Sequence, residues 1–245
     1  MTDLRPLIPI DPEENLDEIA RQLLNMKPQT PPSNQGTIRL DPNPEDSRNK
    51  KTQDQWLDYW SNITDNRIMA SMGDLYIAFK QIKEKYNNKT NTKEDDALIN
   101  SLRDVFNQSW EISSTRLIYS PQSLDARIIH HYNCNIPECV KETNIKVPAY
   151  RPELVSTVTN NKEGLAYLRA LFDTQDDAET IIQTLEFISN KKRKDIKIWT
   201  AEENDRGSYP QRAAGLYYGG GDFRVYGYDC MGDHGCSRGV FINPR

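Results

Sequence analysis

Residues 199–245 read WTAEENDRGSYPQRAAGLYYGGGDFRVYGYDCMGDHGCSRGVFINPR. Within them, positions 217–236 hold six of the chain's twelve glycines, four of its twelve tyrosines and two of its four cysteines. They hold no Lys, Glu, Gln or Trp. Tyr supplies stiff amphipathic contact area, and Gly and small polar residues supply adaptability, which is the composition of loops that bind. The remainder of the chain reads as a scaffold presenting this stretch. An ordinary Gly/Tyr-rich surface loop is the other reading of the same composition. The three glycines 219–221 are followed neither by Gly-Lys-Ser/Thr nor by a helix, so the phosphate-loop and dinucleotide fingerprints both fail.

Working outward, residues 197–200 (KIWT), 223–228 (FRVYGY) and 239–242 (GVFI) alternate as strands do. A long loop is expected between the first two, with Glu202, Glu203, Asp205 and Arg206 as a polar segment. Upstream, residues 162–172 and 176–190 have helical spacing, with Ala178, Ile181, Ile182, Leu185 and Ile188 on one face. Asp173 or Thr174 is expected to cap the second helix. The cations at 191–194 (KKRK) fall at its C-terminal end, where the helix dipole favours them. Residues 114–119 and 126–132 read as two further strands, followed by a loop from 133 to 154.

The middle of the chain is helical in pattern. Ile68, Met72, Leu75, Phe79, Ile82 and Tyr86 are spaced 4, 3, 4, 3, 4 within a helical run expected over 52–86. Thr92 with Asp95 has the spacing of a capping box, predicting a second helix over 95–110. The hairpin so formed, residues 51–111, either packs on the following domain or forms a homo-oligomer through residues 56–110. Residues 1–50 are rich in Pro, Asn, Asp and Gln and read as a flexible arm, with one short amphipathic piece at 16–26.

The totals bound the function. A chain of 245 residues holds one large or two small domains. A net charge of −5 argues against sequence-independent nucleic-acid binding. Charged residues are 27%, hydrophobic ones 36% and the mean hydropathy is −0.79. No run of eighteen apolar residues exists, so no membrane span is expected. The first residues lack the pattern of a secretory signal, so a cytoplasmic chain, or one carried in a larger particle, is expected.

Cys134, Cys139, Cys230 and Cys236 offer a four-ligand zinc site, or an enzymatic one, as an alternative function. Their spacings of C-x4-C and C-x5-C are looser than a C-x2-C knuckle. On a strand, His130 and His131 would point to opposite faces. No HExxH, GxSxG or EF-hand pattern is present. No catalytic residue, cofactor or metal is therefore expected. A purely structural particle component is a third reading.

Tyr, Gly, Asp, Cys, His, Phe, Arg and Val are all reachable by codons of the form NNC, and within 217–236 only Met231 breaks that pattern. With IWTAEEN, QRAAGLYYGGGDFRVYGY and CSRGVF near its C-terminus, the chain resembles the variable proteins of diversity-generating retroelements. The resemblance covers the last fifth of the chain, and the region from 112 through its order of elements. It implies an α+β, C-type-lectin-like domain over 112–245 that displays diversified positions to an unknown protein or cell-surface ligand. Trp199, Arg212, Ala213, Phe223, Val225, Arg238, Gly239 and Val240 would be scaffold. Tyr217, Tyr218, Asp222, Tyr226, Tyr228, Asp229, Cys230, Asp233, His234 and Cys236 would contact the ligand. Gly219, Gly220, Gly221, Gly227, Gly232 and Gly235 would be mutable too. Calcium-dependent sugar binding does not carry over, because the Glu-Pro-Asn type of motif is missing.

Overall fold

Three capping boxes open the helical part of the chain. Thr52 with Gln55, Ser71 with Asp74 and Thr92 with Asp95 each exchange side-chain and backbone hydrogen bonds. They start α1 (Gln53–Ser61), α2 (Met72–Asn87) and α3 (Lys93–Gln108). Each box satisfies amides that a helix start would otherwise leave unpaired. The structure, a computed structural model, describes residues 38–45, 50–121, 123–208, 210–229 and 234–241. The expected arm (1–50) therefore lies almost wholly outside the described residues, as do Cys230, Gly232, Asp233 and Ile242.

The helical run expected over 52–86 is broken. Asn62 ends α1, Asp65 accepts the Arg67 amide at 3.1 Å, and residues Arg67–Met69 form a short strand, β1. Ile68 thus sits on a strand, yet it joins Met72, Leu75, Phe79 and Ile82 in one core cluster. The periodicity reflected a shared destination rather than a shared helix.

The remaining elements are β2 (Glu111–Tyr119), β3 (Asp125–His130), β4 (Lys141–Lys146), β5 (Glu153–Leu154), α4 (Val155–Asn160), α5 (Lys162–Leu171), α6 (Ala178–Ser189), β6 (Ile196–Thr200), α7 (Glu203–Ser208), β7 (Gln211–Gly219), β8 (Asp222–Asp229) and β9 (Gly239–Phe241). The fold is mixed α+β. Seven strands form one curled sheet in the order β4-β3-β2-β7-β8-β6-β5, and β1 pairs separately with β9. Among the described strands of this sheet, β6 and β8 pair parallel and the other neighbours antiparallel. β7 falls where a loop was expected: its Ala213, Ala214 and Gly215 conceal strand alternation. β4 and β5 likewise occupy the expected 133–154 loop. The α6 cap is Asp177, whose side chain accepts the Thr180 amide at 2.7 Å, and not Asp173 or Thr174.

β2 carries a bulge opposite β7 between Ile112 and Arg116. Gln53, 1% exposed, repairs it. Its amide donates to the carbonyls of Ser113 (2.7 Å) and Thr115 (2.9 Å), while its oxygen accepts from Arg116 Nε (2.9 Å). Buried polar backbone needs such partners.

One face of the sheet is covered by helices. Tyr76 of α2 stacks on Phe172 at 4.8 Å, and Tyr86 meets Phe187 of α6. Arg103 of α3 donates to the carbonyls of Phe187 and Ile188 at the end of α6. Leu98, Leu102 and Phe106 of α3 share a core with Leu117, Ile198, Phe223 and Val225 of the sheet. Residues 37–245 form one compact unit. The apolar stripes of 56–110 are buried within that unit.

The C-terminal segment is clamped into the same unit. Residues 235, 237 and 240 bridge to 51, 45 and 40, and Cys236 bridges to Glu111. Trp56 Nε1 donates to Gly235 O and Trp60 Nε1 to Ser237 Oγ, each at 2.8 Å.

Candidate functional site

Strand alternation divides the quoted stretch between two faces. On β7 and β8, Leu216, Phe223 and Val225 are fully buried against the helices. Tyr217, Arg224 and Tyr226 point the other way. Register places Tyr217 opposite Arg224, Gly215 opposite Tyr226, and Trp199 and Lys197 of β6 opposite Tyr226 and Arg224. The two strands are joined by Gly220 and Gly221 at φ +63° and +90°, the positive pair that a two-residue type I′ hairpin requires. The three glycines thus make a hairpin turn.

The outward rings form a continuous series. Tyr217 stacks on Trp110 (4.7 Å, 17° between planes). Trp110 meets Tyr226 edge-on at 4.2 Å, and Tyr226 stacks on Trp199 at 5.2 Å. The stacked pairs, at 4.7 and 5.2 Å, lie in the range at which rings attract beyond simple burial. Tyr226 is the enclosed member, 5% exposed, while Tyr217, Trp110 and Trp199 are half-buried. Arg224 lies beside the series: its Nη1 donates to Tyr226 Oη at 3.0 Å and its Cζ sits 5.6 Å from the Trp199 ring centre.

The expected contact residues separate accordingly. Tyr217 lies on the outward face, and Asp222 stands partly exposed where β8 begins. Tyr228 and Asp229 complete β8. His234 is exposed and lines a groove of about 680 Å³ with Lys50, Lys51, Gln55, Asp58 and Tyr59. Tyr218 does not belong to this face. It points inward to Phe106 and Phe223, its hydroxyl donates to Ser189 O, and burial pushes its phenol up to about 12. Cys236 does not either: it is 2% exposed, burial raises its thiol, and its amide donates to Trp110 O at 2.8 Å. Gly227 and Gly235 are fixed by packing. A Cβ at Gly227 would lie 2.5 Å from Tyr167 Oη, and one at Gly235 would lie 2.7 Å from Trp110 Cβ.

Of the expected scaffold, Arg212, Phe223, Arg238, Gly239 and Val240 are buried. Gly239 lies under Trp60, 2.8 Å from where its Cβ would be. Trp199 is the exception, since it faces outward in the ring series. Trp110, Arg224 and Lys197 were not singled out from sequence. Alternation along 223–228 already puts Arg224 and Tyr226 on one face, whereas nothing local to Trp110 announces its position.

Of the four cysteines of the zinc or enzymatic alternative, Cys230 lies outside the described residues. Cys134 and Cys236 carry free thiols, and among the described residues no three His, Cys, Asp or Glu side chains converge as a metal site would require. The two histidines diverge. His130 is buried with Nδ1 2.9 Å from Thr115 Oγ1 and Nε2 2.9 Å from Ala170 O, and burial pushes its imidazole down. His131, at φ +53°, places Nε2 3.1 Å from Asp74 Oδ2 and Nδ1 3.5 Å from Ser114 Oγ. Burial alone would raise the Asp74 carboxyl; the His131 imidazole and the Ser71 hydrogen bonds hold it below its ordinary range. Ser114 is 1% exposed and donates to Met69 O at 3.0 Å, so this Ser-His-Asp contact joins β1 and α2 to the sheet.

No helix among the described residues is long and apolar enough to cross a membrane. Compared with known proteins, the chain matches no family model, no curated protein and no solved structure.

Proposed function

We propose that this chain is a binding protein rather than an enzyme, and that it meets its ligand on the outward face of β6, β7 and β8. The observation that carries this reading is the ring series Tyr217–Trp110–Tyr226–Trp199, which leaves three half-buried aromatics side by side along one face of the sheet. Aromatic residues of this kind dominate binding energy because they present much area at little entropic cost. Asp222 and His234 add hydrogen-bonding groups nearby in sequence.

The resemblance to variable proteins of diversity-generating retroelements gives the reading its finer form. In it, the chain is a C-type-lectin-like scaffold whose outward positions change between copies while inward ones stay fixed. Two features support this form: the order of strands, helices and strands after residue 112, and the sharp division of 217–226 into outward and inward side chains. The diversified set is then narrower than composition implies. It includes Tyr217, Asp222 and Tyr226 and omits Tyr218, Gly227, Gly235 and Cys236, which the core holds.

A pair of libraries tests whether the face can serve this purpose. Randomising Tyr217 and Asp222 should leave most members folded by protease resistance, whereas randomising their neighbours Tyr218 and Phe223 should leave few. Equal intolerance at both pairs would remove this surface as a site of diversity.

A further inference from the structure

The Arg224 guanidinium is held in place without a counter-charge. Its Nη1 is tied to Tyr226 Oη, and Trp199 lies beside it. On the other side it rests on the hairpin turn. A Cβ at Gly219 would lie 3.1 Å from Cζ and from Nη1, and one at Gly220 would lie 3.1 Å from Nη2. The missing side chains of the turn are therefore what lets the planar group settle there. Its Nε is buried and has no hydrogen-bond partner. Among the described residues no carboxylate comes within 4.0 Å of it, although the chain carries more acids than bases. Among the described residues Lys197, its register neighbour on β6, has no ion pair either, nor have the exposed Lys192 and Lys194 just before that strand. Arg193, by contrast, is neutralised by Glu179 at 2.8 Å and Glu186 at 3.6 Å. The hairpin end of the aromatic face thus gathers Arg224, Lys197, Lys192 and Lys194 outside ion pairs among the described residues, with Asp195 and Asp222 as the acids nearest in sequence.

A guanidinium fixed in advance, with Nη1 bonded to Tyr226 Oη and Nε buried, keeps Nη2 for an anion such as a carboxylate. The setting narrows what can bring one. Tyr217, Arg224 and Tyr226 lie on β7 and β8, each paired on both sides, so no peptide strand can add there. A ring laid flat against the aromatic side chains fits such a closed face. Nucleobases would stack too, but they bring a polyphosphate backbone to a chain of net charge −5.

We propose that the aromatic face binds an acidic carbohydrate: a sugar ring packs against the Tyr217 and Trp199 side of the ring series, and its carboxylate is held by Arg224 with Lys197 behind it. This rests on the reading of that face as the binding surface, and it names the ligand chemistry of this copy of the sequence.

The test titrates the full chain, by tryptophan fluorescence and calorimetry, with a glucuronate-containing hexasaccharide and with the same hexasaccharide after its carboxyls are reduced to alcohols. Reduction should weaken binding at least tenfold. Arg224→Gln should bind both forms equally and weakly, and Tyr217→Ala should weaken both by a similar factor. Equal binding of the two forms by the unmodified chain overturns the proposal, as does binding of neither. Tighter binding of an oligoglutamate peptide or of oligothymidylate overturns it as well. The comparison on the unmodified chain stands even where a variant fails to fold. None of these failures touches the diversification reading, which the codons of the gene decide.

Discussion

Arg238 Nε lies 3.0 Å from Glu111 Oε1, and neither side chain is more than 1% exposed. The same guanidinium donates to the carbonyls of Asp41 and Pro42. One side chain therefore fastens the C-terminal segment to β2 and to residues 41–42. Removing one member of such a pair leaves the other charged and buried, which costs about 3–5 kcal/mol. Arg238→Met alone should lower stability by that order in urea denaturation. Replacing both, Glu111→Leu with Arg238→Met, should restore part of the loss. A single variant as stable as the parent chain would show that the pair is not buried in solution.

Gly227 tests how much of the quoted stretch is surface. Its carbonyl accepts the Tyr119 hydroxyl at 2.5 Å and its α-carbon faces Tyr167 and Leu117. Gly227→Ala overfills this space and should cost about 1–3 kcal/mol by chemical denaturation. Gly221 at φ +90° has open space around it, so Gly221→Ala should cost only the backbone strain, about 1–2 kcal/mol. Tolerance of Gly227→Ala would mean that β8 sits away from the Tyr119 and Tyr167 side chains.

Gln53 is expected to matter as much as a large core residue. Gln53→Leu leaves two buried carbonyls and Arg116 Nε without their partners. Each such group costs about 1–3 kcal/mol, so a loss of at least about 2 kcal/mol is expected in thermal or urea unfolding.

Tyr218 gives a pH-dependent prediction. Burial raises its phenol from 10.0 to about 12. A raised folded value means that the hydroxyl's contribution is complete below pH 10 and is lost as pH rises through about 12. Tyr218→Phe, which loses the hydrogen bond to Ser189 O, should be about 1 kcal/mol less stable at neutral pH. The gap to the parent chain should close between pH 10 and 12. A gap that persists at pH 12 would show that the phenol is not shielded as described.

What was legible in the sequence was local. The Thr92–Asp95 box, the strand alternation at 114–119 and 223–228, and the two helices before the basic run all follow from neighbouring residues. The alternation also held the division of Tyr217 from Tyr218 and of Arg224 from Val225, which composition alone blurred into one variable block. Other features depend on partners far along the chain. Ala213–Gly215 gives β7 no apolar alternation, and a Cβ at Gly215 would lie 2.9 Å from the Glu111 carbonyl of β2. Ile68 continues a helical spacing although a turn at 62–66 intervenes. Trp110 and Trp199 both contact Tyr226 from distant parts of the chain, so neither could be assigned to the face beforehand. Cys236 resembles its variable neighbours in type, yet its position is set by pairing with Glu111 and Trp110.

The central claim is that evolution varies the outward face while the inward one is held constant, and the gene itself records this most directly. Sequencing it with its flanks should show NNC codons at Tyr217, Asp222 and Tyr226. A near-copy beside a reverse transcriptase gene should carry AAC at those codons and matching, unvaried codons at Phe223, Val225, Gly227 and Gly235. Codons ending in mixed bases at the outward positions, with no such copy nearby, would contradict the account and leave a fixed binding surface in its place.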